Sequence, residues 1–140
     1  MSTPSLKHIL FAGLAGGAVL NLIDTPWSVL VMVPKMQVFL DRHQLSSNAF
    51  AGPWFLATHF AFMILIAWVY ALARQRFHPG LVLALAVAGV FLLINRAFGV
   101  GNVLIGIFAG FSIGMTFGTL AGGVAAAKVI DRSYLQPKAM

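Results

Sequence analysis

The chain has 140 residues, 60% of them hydrophobic and 9% charged, with a mean hydropathy of +0.92. A globule this small cannot bury so much apolar surface, so the expected solvent is a lipid bilayer. The absence of cysteine excludes disulfides, thiolate nucleophiles and cysteine-based metal sites, and the formal charge of +6, carried by residues placed singly at the ends of apolar runs, points to anionic lipid rather than nucleic acid.

The expected fold is all-α and integral to the membrane, a single domain over residues 1–140 with spans at about 9–25, 54–73, 81–98 and 103–127 and an interfacial helix at about 27–45. The first apolar stretch, from Ile9 to Thr25, follows Lys7 and continues past Asn21 and Asp24 without a small-residue cleavage site, so it reads as a retained helix rather than a signal peptide. Pro26 and Trp27 predict its end at an interface. Beyond them Val29, Met32, Val33, Met36, Phe39 and Leu40 recur at helical spacing, with Ser28, Pro34, Lys35, Asp41 and Arg42 on the other side. That pattern predicts an amphipathic helix lying in the interface, the alternative being a continuation of the first helix with a kink at Pro34.

A polar loop, Ser46 to Pro53, precedes a second span bordered by Trp54 and by Trp68 and Tyr70. Residues 74–80 form a tight basic turn, the third span follows, and Gly99, Gly101 and Asn102 supply the next turn. The fourth span ends at Lys128, Asp131 and Arg132. With both termini cytoplasmic, Lys7, Arg74, Arg76, Lys128, Arg132 and Lys138 lie inside and only Lys35, Arg42 and Arg96 outside. That asymmetry predicts a multi-pass protein of a bacterial inner membrane with its termini in the cytoplasm.

Helix four carries the most regular pattern, with Gly106, Gly110, Gly114, Gly118 and Gly122 at every fourth position and Ala126 continuing the series. In lipid such a glycine zipper lets two helix backbones approach closely. Gly13 and Gly17, with Asn21 on the same stripe, form a shorter version in helix one. Packing of helix four on helix one is the first expectation, and an interface with another copy or another membrane protein is the alternative. Ser112 and Thr116 fall roughly opposite the stripe, which suits a helix with neighbours on two sides.

Polar residues inside the spans fall at matching heights. Counted from the cytoplasmic ends, Asp24 stands about 25 Å up helix one, Arg96 about 24 Å up helix three and His59 about 22 Å above Arg74, with Asn21 and Ser112 nearby. They predict a polar layer in the outer third of the bundle, with Asp24 and Arg96 as its ion pair. The layer could orient the helices or serve an ion, proton or small-solute path, although below it only Thr116 and Thr119 interrupt the apolar stretches.

His59 could ligate a haem or a chlorophyll-type pigment, but no second histidine shares its depth, and no cofactor or metal is predicted. No paired carboxylates, nucleophile elbow, phosphate loop or zinc spacing occurs, so no enzymatic activity is expected.

Two stretches, Gly17-Ala18-Val19-Leu20-Asn21-Leu22-Ile23-Asp24 and the run from Trp68-Val69-Tyr70-Ala71 to Arg74-Gln75-Arg76-Phe77-His78-Pro79-Gly80, resemble an uncharacterised family of small bacterial inner-membrane proteins with four helices. The resemblance implies the topology and no activity. The chain departs from that pattern in Thr25-Pro26-Trp27 after the acid and in its regular glycine series. The leading functional expectation is a non-catalytic membrane subunit or scaffold whose partners are lipids and other transmembrane helices, its own included. The alternatives are a small channel or transporter built on Asn21, Asp24, His59 and Arg96, and a pigment- or lipid-binding protein.

Overall fold

A computed structural model describes residues 4–44, 52–98 and 108–135. The elements are α1 (Leu6–Trp27), a π-helical turn (Ser28–Met32), α2 (Val33–His43), α3 (Gly52–Ala73), α4 (Leu81–Phe98) and α5 (Phe108–Leu135). The described residues contain no strand. Three helical stretches are long and apolar enough to cross a membrane, namely Leu6–Arg42, Leu56–Ala73 and Ile113–Tyr134, while the apolar stretch of α4, Leu81–Asn95, is shorter.

The first helix does not stop at Pro26, as its sequence suggests. It runs through the proline to Trp27, passes directly into the π turn and continues as α2. A proline inside a helix loses one N–H bond and crowds the carbonyl four residues earlier. The wider π register that follows absorbs such a disturbance without breaking the helix. Pro34 then sits in the first turn of α2, where a missing N–H costs little.

The helices run alternately up and down. Gly13 lies against Ile64 and Gly17 against Phe60, so α1 and α3 are antiparallel; Gly16 meets Gly122 and Leu20 meets Gly118, so α1 and α5 are antiparallel too. Phe62 and Phe91 join α3 to α4 edge to face, with ring centroids 5.7 Å apart. A Cβ built on Gly16 would lie 2.7 Å from the Gly122 carbonyl oxygen, and one on Gly122 would lie 2.6 Å from that of Gly16. Only glycine permits two backbones this close. The Gly13 and Gly17 stripe therefore receives α3, whereas the residue that receives α5 is Gly16.

Leu20, Met63, Ile66, Ala67, Ala126 and Ile130 fill the space between α1, α3 and α5. The outside is as apolar as the core: Leu22, Leu30, Val82 and Leu93 are 68–82% exposed. α5 continues two turns beyond the end expected at Lys128, reaching Leu135, because Asp131 and Tyr134 dock onto the end of α3.

Candidate functional site: a buried polar centre

Asn21 and Asp24 are three residues apart on α1, so they lie one above the other on one face. His59 of α3 fits against both. Its Nδ1 is 2.7 Å from Asn21 Oδ1, and its Nε2 is 3.5 Å from Asp24 Oδ2. Ser28, one turn further along, donates its hydroxyl to Asp24 Oδ2 at 3.4 Å. From α5, Gly114 closes the third side; a Cβ there would lie 2.6 Å from Asp24 Oδ1 and 2.8 Å from Trp27.

Asp24 is completely buried and His59 is 4% exposed. A carboxylate removed from water costs several kcal/mol unless a partner or a proton compensates it. His59 supplies such a partner; the side chain of Arg96, the ion-pair partner expected from the sequence, lies outside the described residues. Two further atoms of the centre, Asn21 Nδ2 and Asp24 Oδ1, are buried without a hydrogen-bond partner, as is the hydroxyl of the adjacent Thr25. Buried polar atoms are normally satisfied, so this density of exceptions sets the centre apart from the apolar packing around it.

The structure thus brings Asn21, Asp24 and His59 together. The side chains of Arg96 and Ser112, Gly106, and the packing of Gly110 lie outside the described residues. Gly114, Gly118 and Gly122 face α1, against Asp24 and Trp27, Leu20 and Gly16 respectively.

A second polar cluster was not anticipated from the sequence. At the opposite end of the bundle, Asp131 accepts the Tyr70 hydroxyl at 2.9 Å and Arg74 Nε–H at 2.9 Å. The Arg74 guanidinium lies over the Tyr134 ring, 5.3 Å from its centroid, and the Tyr134 hydroxyl donates to the Ala71 carbonyl at 3.3 Å. The cue was available: Tyr70 and Arg74 are four apart, Asp131 and Tyr134 three apart, and both pairs end helices that leave the bundle on the same side. Met63, Ile66, Ala67 and Ala126 separate the two clusters with apolar packing.

Fold and site together define a class, an all-helical protein with three helices fit to cross a membrane and a buried carboxylate–imidazole contact between them. No protein-family model, curated protein or solved structure matches the chain.

Proposed function

We propose that this chain is an integral protein of a bacterial inner membrane that carries a small ion or polar solute by way of Asn21, Asp24 and His59. The observation that carries this reading is the fully buried Asp24 against His59 at a three-helix junction. Apolar residues of similar volume would hold three helices together as well or better than a buried ionisable pair. An ionisable group kept within a span is therefore a functional group by default.

In this reading α4 also crosses the membrane, as the third of four spans in chain order, and both termini are cytoplasmic. The helical run from Leu6 to Arg42 covers 37 residues, about 55 Å at 1.5 Å per residue, whereas the hydrocarbon core is about 30 Å thick. A run of that length exceeds the hydrocarbon, and the exposure of Lys35, Asp41 and Arg42 supports reading its second half, α2, as lying at the outer headgroups.

A scaffold needs packing faces left over for partners, and the described small-residue faces are largely spent: Gly13, Gly16, Gly17, Gly114, Gly118 and Gly122 all pack within the chain. The scaffold keeps one supporting observation as a second reading. An open groove of about 470 Å³ runs between α4 and α5, lined by Gly89, Val90, Leu93, Thr116 and Leu120, and a partner helix could seat there. Pigment ligation has less support, because both ring nitrogens of His59 face oxygens of α1.

Reconstitution into liposomes separates these readings. Wild-type protein is expected to conduct a small ion or solute, and Asp24→Asn and His59→Leu to abolish that flux while keeping helical content and elution volume. A wild type without flux that purifies in mild detergent with a stoichiometric membrane partner would replace transport by the second reading.

A further inference from the structure

The hydrogen-bonding capacity of His59 identifies the ion. A neutral imidazole has one N–H and one lone pair, so it cannot donate to two oxygens at once. In this structure both ring nitrogens face oxygens, Nδ1 that of the Asn21 amide and Nε2 that of the Asp24 carboxyl. With Nδ1–H donated to Asn21, the Nε2 lone pair would point at carboxylate lone pairs unless one further proton lies between them. That proton sits either on Nε2, giving imidazolium and carboxylate, or on Oδ2, giving imidazole and carboxylic acid. Both forms hold the same number of protons, and the pair is neutral overall.

We infer that the polar centre is a one-proton site, so that the ion it handles is the proton, and that the Asn21 amide turns over when the proton leaves. The inference rests on reading this centre as the functional site. The balance is simple: the carboxylate and a neutral imidazole bearing Nε2–H take up one proton, and the charge of the pair changes from −1 to zero. In the deprotonated form the single N–H is needed on Nε2, facing the carboxylate, and Nδ1 becomes an acceptor. Asn21 then has to present its NH₂ in place of its oxygen. That group, Nδ2, is buried and unpartnered in the present arrangement, which leaves it free for the second one.

Space at the centre argues for the same species. Asp24 has no exposed surface, and even one carbon added at Gly114 would lie 2.6 Å from its Oδ1 and 2.8 Å from Trp27. A proton needs no volume, whereas a solute does. Nor does any group of three or more His, Cys, Asp or Glu side chains able to hold a metal ion occur among the described residues. Among the described residues, the titratable groups facing each other here are Asp24 of α1 and His59 of α3; α5 contributes Gly114, the chain after Asp24 contributes Trp27 and Ser28, and the side chain of Arg96 on α4 lies outside the described residues.

The test combines nitrogen-15 NMR of the His59 ring in full-length protein in nanodiscs with proton uptake by liposomes. The liposomes contain a pH-sensitive dye and are driven by a potassium diffusion potential. In wild type, raising the pH is expected to move His59 in a single step from the proton-bearing form to the Nε2–H tautomer, and the dye to report proton entry. Asp24→Asn is expected to remove that step and the dye response. Asn21→Leu keeps both ionisable groups and is expected to lose the hydrogen-bonded Nδ1–H signal, so it carries the test if Asp24→Asn fails to fold. A His59 ring that keeps one tautomer throughout, beside a sodium or solute flux sensitive to Asp24→Asn, would overturn the proton while leaving the transport reading intact. If neither Asp24→Asn nor His59→Leu changed any flux, the transport reading would fall and the proton with it.

Discussion

A methyl group added at Gly114 would lie 2.6 Å from Asp24 Oδ1 and 2.8 Å from the Trp27 side chain, well inside the roughly 3.5 Å at which carbon atoms make contact. Neither neighbour has an easy retreat, since Asp24 is fully buried and Trp27 is met at Cβ and Cγ, next to its backbone. Gly114→Ala is therefore expected to lower stability by about 1–3 kcal/mol and to push the Asp24 carboxyl away from its contact with His59. Unfolding in mixed detergent and the His59 ring shifts would report the two effects separately. Gly89 is the matched control, because a Cβ there meets nothing within 4 Å. Gly89→Ala is expected to be neutral or to stabilise α4 by about 0.5–1 kcal/mol through helix propensity alone. Thr119 offers a different residue-scale test. Its side chain is fully buried and its hydroxyl has no hydrogen-bond partner. Thr119→Val keeps the shape and removes the unpaired group, so it should be neutral or stabilising by about 1 kcal/mol; a clear loss of stability would mean that the hydroxyl is bonded after all.

Between elements, the Asp131 clamp governs how the ends of α3 and α5 stay together. Arg74 has 10% of its side chain exposed and Asp131 25%, so the pair is sheltered without being sealed. Asp131→Ala would strand the Arg74 charge and the Tyr70 hydroxyl, at an expected cost of about 2–4 kcal/mol. Tyr70→Phe removes one bond and should cost about 1 kcal/mol. A double-mutant cycle between Arg74 and Asp131 should give a coupling that added salt weakens only modestly, since partly buried pairs are poorly screened; zero coupling would reduce the clamp to a surface contact. This clamp also shows what the sequence could and could not convey. The heights of Asn21, Asp24 and His59 follow from counting along each helix, because rise per residue is fixed. Which side chains at a given height meet depends on helix rotation and on lateral neighbours, so the contact of His59, at about 22 Å, with Asp24 was not legible from height alone. The same limit assigned the Gly13 and Gly17 stripe to helix four and overlooked Gly16. In the sequence Arg74 counts toward topology and Asp131 marks a helix end, and single-sequence periodicity says nothing of contacts between parallel helices more than fifty residues apart. Pro26 misled for a local reason, since its usual effect on a helix was absorbed by a π turn that leaves no signature in composition.

For the molecule as a whole, charge at one end of the bundle is what would set its direction in a membrane. The start of α1, the turn between α3 and α4, and the end of α5 share that end, and Lys7, Arg76, Lys128 and Arg132 are exposed there. The chain has only three acidic residues, Asp24, Asp41 and Asp131. Asp24 is buried in the polar centre, Asp41 lies on α2 towards the other end, and Asp131 is paired with Arg74. Nothing acidic among the described residues therefore remains free to offset the basic end. Moving each such cation across the hydrocarbon during insertion is costly, and the Lys and Arg bias sets which loops stay inside. Because the natural sequence lacks cysteine, single cysteines give an unobscured readout. A maleimide that cannot cross membranes is expected to label Asp41→Cys in spheroplasts, and to label Ser5→Cys and His78→Cys only after the membrane is permeabilised. Loss of Asp41 should not disturb the outcome, since acidic residues contribute little to orientation. Labelling with the sides exchanged would reverse the orientation while keeping the bundle. Equal access to Asp41→Cys and His78→Cys from one side would mean that α3 does not cross, and the polar centre would then lie outside the hydrocarbon, where an unpaired carboxylate needs no special partner.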